Sequence, residues 1–153
     1  MPDRRYPEPL QELMDTLALL PDRNDRIQLL IDLSERFEEV PERVARRPFP
    51  EEHRVEGCES EAFAWAEPRG DGTFDYHFAV ENPQGVSARS LATILRQGLS
   101  GQAPEEIARV PSDLVYEVFG NELSMGKSMG LMGMVSKVQA ETKKAAGNSR
   151  PAP

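Results

Sequence analysis

Leu10, Leu13, Met14 and Leu17 recur at three- and four-residue spacing, which places them on one face of a helix that Pro21 ends. Asp22 is a good residue to cap a second helix, which would present Ile27, Leu30, Ile31 and Phe37 on one side. Pro41 then disfavours helical backbone at Val40. After Pro48 and Pro50 the period changes. Phe63 and Trp65 alternate with alanines between Ala62 and Ala66, and Phe74, Tyr76, Phe78 and Val80 alternate with Asp75 and His77. The stretch Glu67 to Gly72 between them is rich in turn formers, so the two runs predict an antiparallel hairpin. His53 to Gly57 is expected to add a third, short strand before it.

Helical spacing returns after Asn82 and Pro83. Val86 to Gln97 is expected to stop at Gly98, and Pro104 suits the first position of a short helix. Ser112 is placed to cap a segment carrying Leu114, Val115 and Val118, and a last helix is expected from about Lys127 to Ala145. Helices, then a small meander, then helices again make an α+β domain: a three-stranded antiparallel sheet flanked by helices. The expected organisation is a single domain over residues 1–146 with a disordered tail at 147–153.

The totals narrow the function classes. A chain of 153 residues is long enough for one real core, and 39% apolar with 29% charged residues is ordinary for a globular protein. The formal net charge of −8 argues against nucleic acid as partner, since binding phosphates calls for a basic face. No apolar run approaches the roughly 20 residues of a membrane-spanning helix, and the start of the chain does not read as a secretory signal. One cysteine cannot form an internal disulfide, which fits a reducing cytoplasm.

That cysteine, Cys58, stands in "VEGCES", where the short strand expected at His53 to Gly57 would turn into the first strand of the hairpin. A lone cysteine is commonly a small buried hydrophobe. Here Gly57 allows the backbone to bend, Ser60 can hydrogen-bond within a turn, and turns between strands are where chemistry is often presented. Glu56, Glu59 and Glu61 surround the thiol with negative charge, so the isolated protein is expected to be a slow nucleophile. His53, five residues upstream, could serve as a general base in a cysteine hydrolase, whereas His77 on the polar side of the hairpin is expected to be solvated. Metal binding has little support, because the chain has no CxxC, no HxxxH and no second thiolate. "SMGKSMGLMG", from Ser124 to Gly133, lacks the phosphate-loop pattern, and its glycines and methionines read as close-packing, adaptable contacts. Within it Lys127 sits near a helix start, where the dipole disfavours a cation, so the placement suggests a use.

With these residues in place, the chain from about Asp22 to Ala146 resembles the SufE/CsdE family of sulfur acceptors. Gly57-Cys58-Glu59-Ser60 followed by Phe63 matches a family pattern of Gly-Cys-x-Ser-x-x-Trp. The helix from Arg26 to Phe37, the Arg89-Ser-Leu segment, "GQAPEEI" and "LSMGKSMGL" fall in the family's order. Glu59 stands where the family commonly has glutamine, Phe63 where it has tryptophan, and Lys127 where it often has arginine.

The resemblance implies a function. Such proteins take sulfane sulfur from the persulfide of a pyridoxal-phosphate cysteine desulfurase, hold it on their own cysteine and pass it to an iron–sulfur scaffold. Cys58 would be the acceptor, with Gly57, Glu59, Ser60, Arg89 and Lys127 as partner-binding or activating residues. No metal or organic cofactor is implied, and no partner that is a nucleic acid or a membrane. The protein would act with the desulfurase, stimulating it, rather than as a stand-alone enzyme. The alternatives are a non-catalytic adaptor that binds the desulfurase or scaffold, and the small cysteine hydrolase that depends on His53.

Overall fold

The computed structural model describes residues 5–120 and 123–148. Two helices lead, α1 (Glu8–Ala18) and α2 (Arg23–Glu35), followed by a long connection with one 3₁₀ turn at Glu51–His53. The hairpin β1 (Ala62–Pro68) and β2 (Phe74–Val80) comes next. Helices α3 (Val86–Leu99), α4 (Pro104–Ala108), α5 (Leu114–Phe119) and α6 (Met125–Asn148) complete the chain. This is the expected α+β class. The last helix runs into the segment expected to be a tail, and residues 149–153 lie outside the described residues.

The hairpin explains how so small a sheet supports a core. Its register sets Ala62 opposite Val80, Ala64 opposite Phe78 and Ala66 opposite Tyr76. Small side chains on β1 thus lie beside large ones on β2, and α3 and α6 pack over this face; Phe74, Tyr76, Phe78, Leu91, Ile94, Leu95 and Met134 are all at most 2% exposed. Phe63 and Trp65 point the other way and form a second cluster with Val40, Phe49 and Ala79, covered by the 40–49 segment. Phe49 meets the Phe63 ring at 5.3 Å and the Trp65 ring at 5.1 Å, tilted and edge-on, a favoured geometry for aromatic pairs.

Four expectations are corrected. The sheet has two strands among the described residues. His53–Gly57 makes a single bridge, Arg54 to Phe63, because its backbone is laid along α6 instead. Gly98 does not end α3, which continues to Leu99. It is the point where α1 crosses: a Cβ on Gly98 would stand 2.8 Å from Leu10 Cβ, closer than carbon atoms pack. On α2 only Leu33 is buried, with Leu30 half-buried and Ile27 and Ile31 exposed; the helix lies on the outside of α3 and offers it a narrower stripe than the spacing suggested. Ser112 supplies no side-chain cap to α5, whose first turn follows Asp113, and Asp113 instead pairs with Arg5 at 3.1 Å.

Two helix starts follow ordinary capping chemistry. Asp22 Oδ1 accepts from the Asn24 backbone N–H at 2.9 Å, and Ser124 Oγ accepts from the Lys127 N–H at 3.2 Å. The second contact starts α6 at Met125, two residues earlier than expected, and puts Lys127 within its first turn.

Candidate functional site

Cys58 lies in the turn that delivers the chain into β1. Gly57 adopts φ +75°, with open space where a Cβ would be, so glycine is called for there by backbone conformation alone. The Glu61 N–H donates to the Cys58 carbonyl at 3.1 Å and closes the turn. Glu61 itself adopts φ +53°, a left-handed conformation that costs a non-glycine residue roughly 1 kcal/mol and is retained where the surroundings enforce it. They do so through two backbone hydrogen bonds: Glu81 N–H to Glu61 O and Asn82 N–H to Ser60 O, both 3.1 Å.

The thiol faces inward. Cys58 is 9% exposed and opens on a cavity of about 180 Å³ lined by Glu59, Ser60, Asn82, Gln84 and Lys127, among others. A water molecule's share of liquid volume is about 30 Å³, so the cavity has room for a further atom on sulfur. Glu56, Glu59 and Glu61 are all exposed, where water and salt screen their charge. The Glu59 carboxylate reaches over the first turn of α6, 3.8 Å from where a Cβ of Gly126 would be. That is the positive end of the helix, where a carboxylate is stabilised.

Helix α6 is the floor beneath the turn. A Cβ on Gly130 would stand 2.9 Å from Gly57 O and 3.0 Å from Cys58 Cα, and one on Gly133 would stand 3.0 Å from Glu56 O. The glycines of "SMGKSMGLMG" thus let a loop backbone lie directly on a helix. Farther along, the Lys137 ammonium donates to Glu52 O, Lys144 Nζ pairs with Glu52 Oε2 at 2.8 Å, and His53 Nδ1 meets Glu141 Oε1 at 2.6 Å. Residues 52–59 therefore run antiparallel to α6, from its C-terminal half toward its first turn.

Of the expected site residues, the structure brings Cys58, Glu59, Ser60 and Lys127 around one cavity, with Gly57 shaping its rim. Arg89 does not line it. Its guanidinium turns to the carbonyls of Val80 (3.3 Å) and Asn82 (3.4 Å) and lies over the Phe37 ring, while its Nε is buried without a partner. It props the segment that clasps Ser60 and Glu61. His53 is not brought to the thiol. It faces Glu141, and since Glu141 and Gly130 are eleven residues apart on α6, it sits roughly 16 Å along the axis from Cys58. His77 is not solvated; it is held by Glu67 at 3.0 Å with its side chain 14% exposed. Among the described residues no group of three or more His, Cys, Asp or Glu side chains is arranged to hold a metal ion. No described helix is long and apolar enough to cross a membrane.

The residues missed from sequence are Asn82, Gln84 and Glu141. The first two form a turn in which Gln84 N–H donates to Asn82 Oδ1 at 2.9 Å; the Asn82-Pro83 pair marked a turn but not that it folds back over the thiol. Gly126, Gly130 and Gly133 carried a usable signal, their spacing on one helical face.

Residues 11–142 match the model of the SufE family, described as an Fe-S metabolism associated domain. The chain belongs to the SufE family. Two SufE-like relatives, both uncharacterized, come from Rhizobium. The one from Rhizobium meliloti is 26% identical over 134 residues, covering 86% of this chain and 93% of the relative. The one from Rhizobium etli is 27% identical over 143 residues, covering 92% and 94%. The solution structure of a hypothetical protein from Thermus thermophilus superposes with a TM-score of 0.72 at 27% identity, over 92% of this SufE chain and 97% of that one. The SufE family ties the chain to iron–sulfur metabolism.

Proposed function

We propose that this SufE protein accepts sulfane sulfur on Cys58 from a pyridoxal-phosphate cysteine desulfurase and relays it to an iron–sulfur scaffold in a reducing cytoplasm, stimulating the desulfurase as it does so. The observation that carries the reading is the placement of the chain's one thiol in a small cavity beside Lys127 and the first turn of α6, with no histidine in hydrogen-bond reach. A hydrolase needs a base beside its nucleophile; a sulfur acceptor needs a thiol, room for one more sulfur and positive charge near the anion it forms.

The transfer balances without an oxidant. The Cys58 sulfur, as thiolate, attacks the outer sulfur of the donor's persulfide. A new S–S bond forms on Cys58, the donor's S–S bond breaks, and the donor thiolate leaves with the electron pair and takes up the proton that Cys58 released. Lys127 is the cation among the cavity's lining residues, placed to stabilise the sulfur anion, which accounts for a lysine where the helix dipole alone would disfavour one. The remaining sulfane sulfur stays in the cavity, sheltered from water and stray thiols.

Transfer also requires the thiol to reach another protein's sulfur, and a side chain 9% exposed does not. The turn therefore comes off α6 when the donor docks. Met125 and Met129, 79% and 60% exposed on the turns that carry Lys127, supply adaptable apolar contacts beside the cavity for that encounter.

Incubation with a desulfurase and ³⁵S-labelled cysteine, read by intact mass and peptide mapping, tests the proposal: one sulfur is expected on Cys58. A Cys58→Ser variant that stimulates the desulfurase as fully as the parent would replace the relay with a non-catalytic adaptor.

A further inference from the structure

The segment bearing the thiol is tied to the rest of the molecule very unevenly. After Cys58 it is fixed by backbone hydrogen bonds to residues 81 and 82. Before Cys58, residues 51–55 touch the sheet through the single Arg54–Phe63 bridge and its Val55 N–H to Ala62 O hydrogen bond of 2.8 Å. Over Gly130 and Gly133 the contact is van der Waals only. The remaining polar ties run to α6, and of these only His53–Glu141 is shielded from water, with side chains 17% and 7% exposed. Glu52 and Lys144, by contrast, are more than half exposed, so their pair is worth little. The Glu141 carboxylate is also flanked by Lys137 Nζ at 3.7 Å, and the His53 ring lies 5.2 Å from that of Trp65.

We infer that His53 and Glu141 form a latch that sets how often the thiol turn leaves α6, making them positioning residues for sulfur acceptance at Cys58. The inference rests on the relay reading only for its biological use; the latch is a property of the free protein. A hydrogen bond between a ring N–H and a buried carboxylate holds residue 53 to α6, and with it the start of the segment that ends at Cys58. Without it, that end keeps the Arg54–Phe63 bridge, the buried Val55 side chain and two exposed ties, from Lys137 to Glu52 O and from Lys144 to the Glu52 carboxylate. Neither residue touches the sulfur. Their effect is on the population of the open turn, which multiplies the rate of any reaction needing Cys58 outside.

The test is alkylation of Cys58 by iodoacetamide in the isolated full-length protein. His53→Phe keeps a ring against Trp65 and removes Nδ1; Glu141→Leu removes the acceptor and leaves an apolar side chain in its place. Each is expected to raise the alkylation rate roughly tenfold, the shift in an opening equilibrium that loss of one charge-assisted hydrogen bond produces. His53→Asn, which returns a donor near the position of Nδ1, is expected to bring the rate most of the way back. Thr142→Val is the control, because it loosens the neighbouring contact of α6 with Tyr76 without touching the thiol segment. Circular dichroism verifies that each variant is folded. Rates for both latch variants within about twofold of the parent would overturn the latch. So would an equal rise in Thr142→Val, which would indicate general loosening of α6. Sulfur loading by a desulfurase, measured on the same variants, separates the two claims: failure to load Cys58 refutes the relay alone, while loading with alkylation unmoved refutes the latch alone.

Discussion

Gly130 and Cys58 meet backbone to backbone: a Cβ built on the glycine would lie 3.0 Å from the cysteine Cα and 2.9 Å from Gly57 O. The close contact is with main chain, which cannot swing aside as a long side chain would. Gly130→Ala should therefore lift the thiol turn rather than be absorbed locally. The helix itself gains from the change, since alanine is favoured over glycine by about 1 kcal/mol within a helix. Overall stability is expected to change little while Cys58 becomes markedly faster to alkylate. Unchanged alkylation would show that the turn accommodates the methyl group in place.

The crossing of α1 over α3 offers a second test. Gly98 lets Leu10 seat against α3 with Leu10 fully buried, and an added Cβ would fall 2.8 Å from Leu10 Cβ. Gly98→Ala is expected to cost about 1–3 kcal/mol, as overpacking does. The same change in a Leu10→Ala background should cost clearly less, because the two sites share one contact. Denaturant titration of the four proteins gives the coupling directly, and additive costs would refute the contact as the cause.

Much of this fold is legible in the sequence where one physical signal dominates. The alternation from Phe74 to Val80 and the Asp22 cap specify their elements by themselves. The errors come where tertiary contact overrides a local signal. Gly98 looks like a helix stop because glycine is a poor helix former, but a crossing helix supplies the reason for it. His53–Gly57 looks like a strand, but its pairing with β1 stops at the single Arg54–Phe63 bridge because glycines on α6 draw the backbone away. At the site, "GCES" and Lys127 are readable as candidates because chemistry restricts the residue types. Glu141 is not, since a glutamate amid a charged helix looks solvated until His53 is seen to bury it.

Tyr76 leads to a prediction in pH. Its side chain is 1% exposed, and its hydroxyl lies 2.7 Å from Thr142 Oγ1; because Thr142 donates to Val138 O, Tyr76 is the donor in that pair. Burial pushes the phenol from its ordinary value of 10.0 up to about 12. A value raised in the folded state means the contribution is fully present below pH 10 and is lost as pH rises toward about 12. The loss is of order 2–3 kcal/mol. Tyr76→Phe should cost about 1 kcal/mol at neutral pH and flatten this part of the alkaline decline. Denaturation midpoints of the two proteins, compared pairwise from about pH 8 to about pH 12, supply the measurement. Parallel curves would mean that Tyr76 is not the group responsible.

Lys127 gives the last prediction, which bears on the chemistry. It is exposed, it contributes nothing to the core, and its position in the first turn of α6 is one the helix dipole disfavours. Replacing it should therefore leave stability unchanged or slightly improved. If its ammonium stabilises the sulfur anion beside it, the same replacement should slow sulfur transfer to Cys58. Lys127→Ala is expected to lower the single-turnover transfer rate by roughly tenfold, the scale of one charge interaction at a partly enclosed site. Lys127→Glu should lower it further, because a carboxylate would then face the anion. Lys127→Arg should retain most of the rate, since it keeps the charge. Raising salt should shrink the difference between Lys127→Ala and the parent, as screening does for an exposed cation. Should the alanine variant transfer sulfur at the parent's rate at low salt, the stabilising charge belongs to the donor protein, and Lys127 has no part in the step.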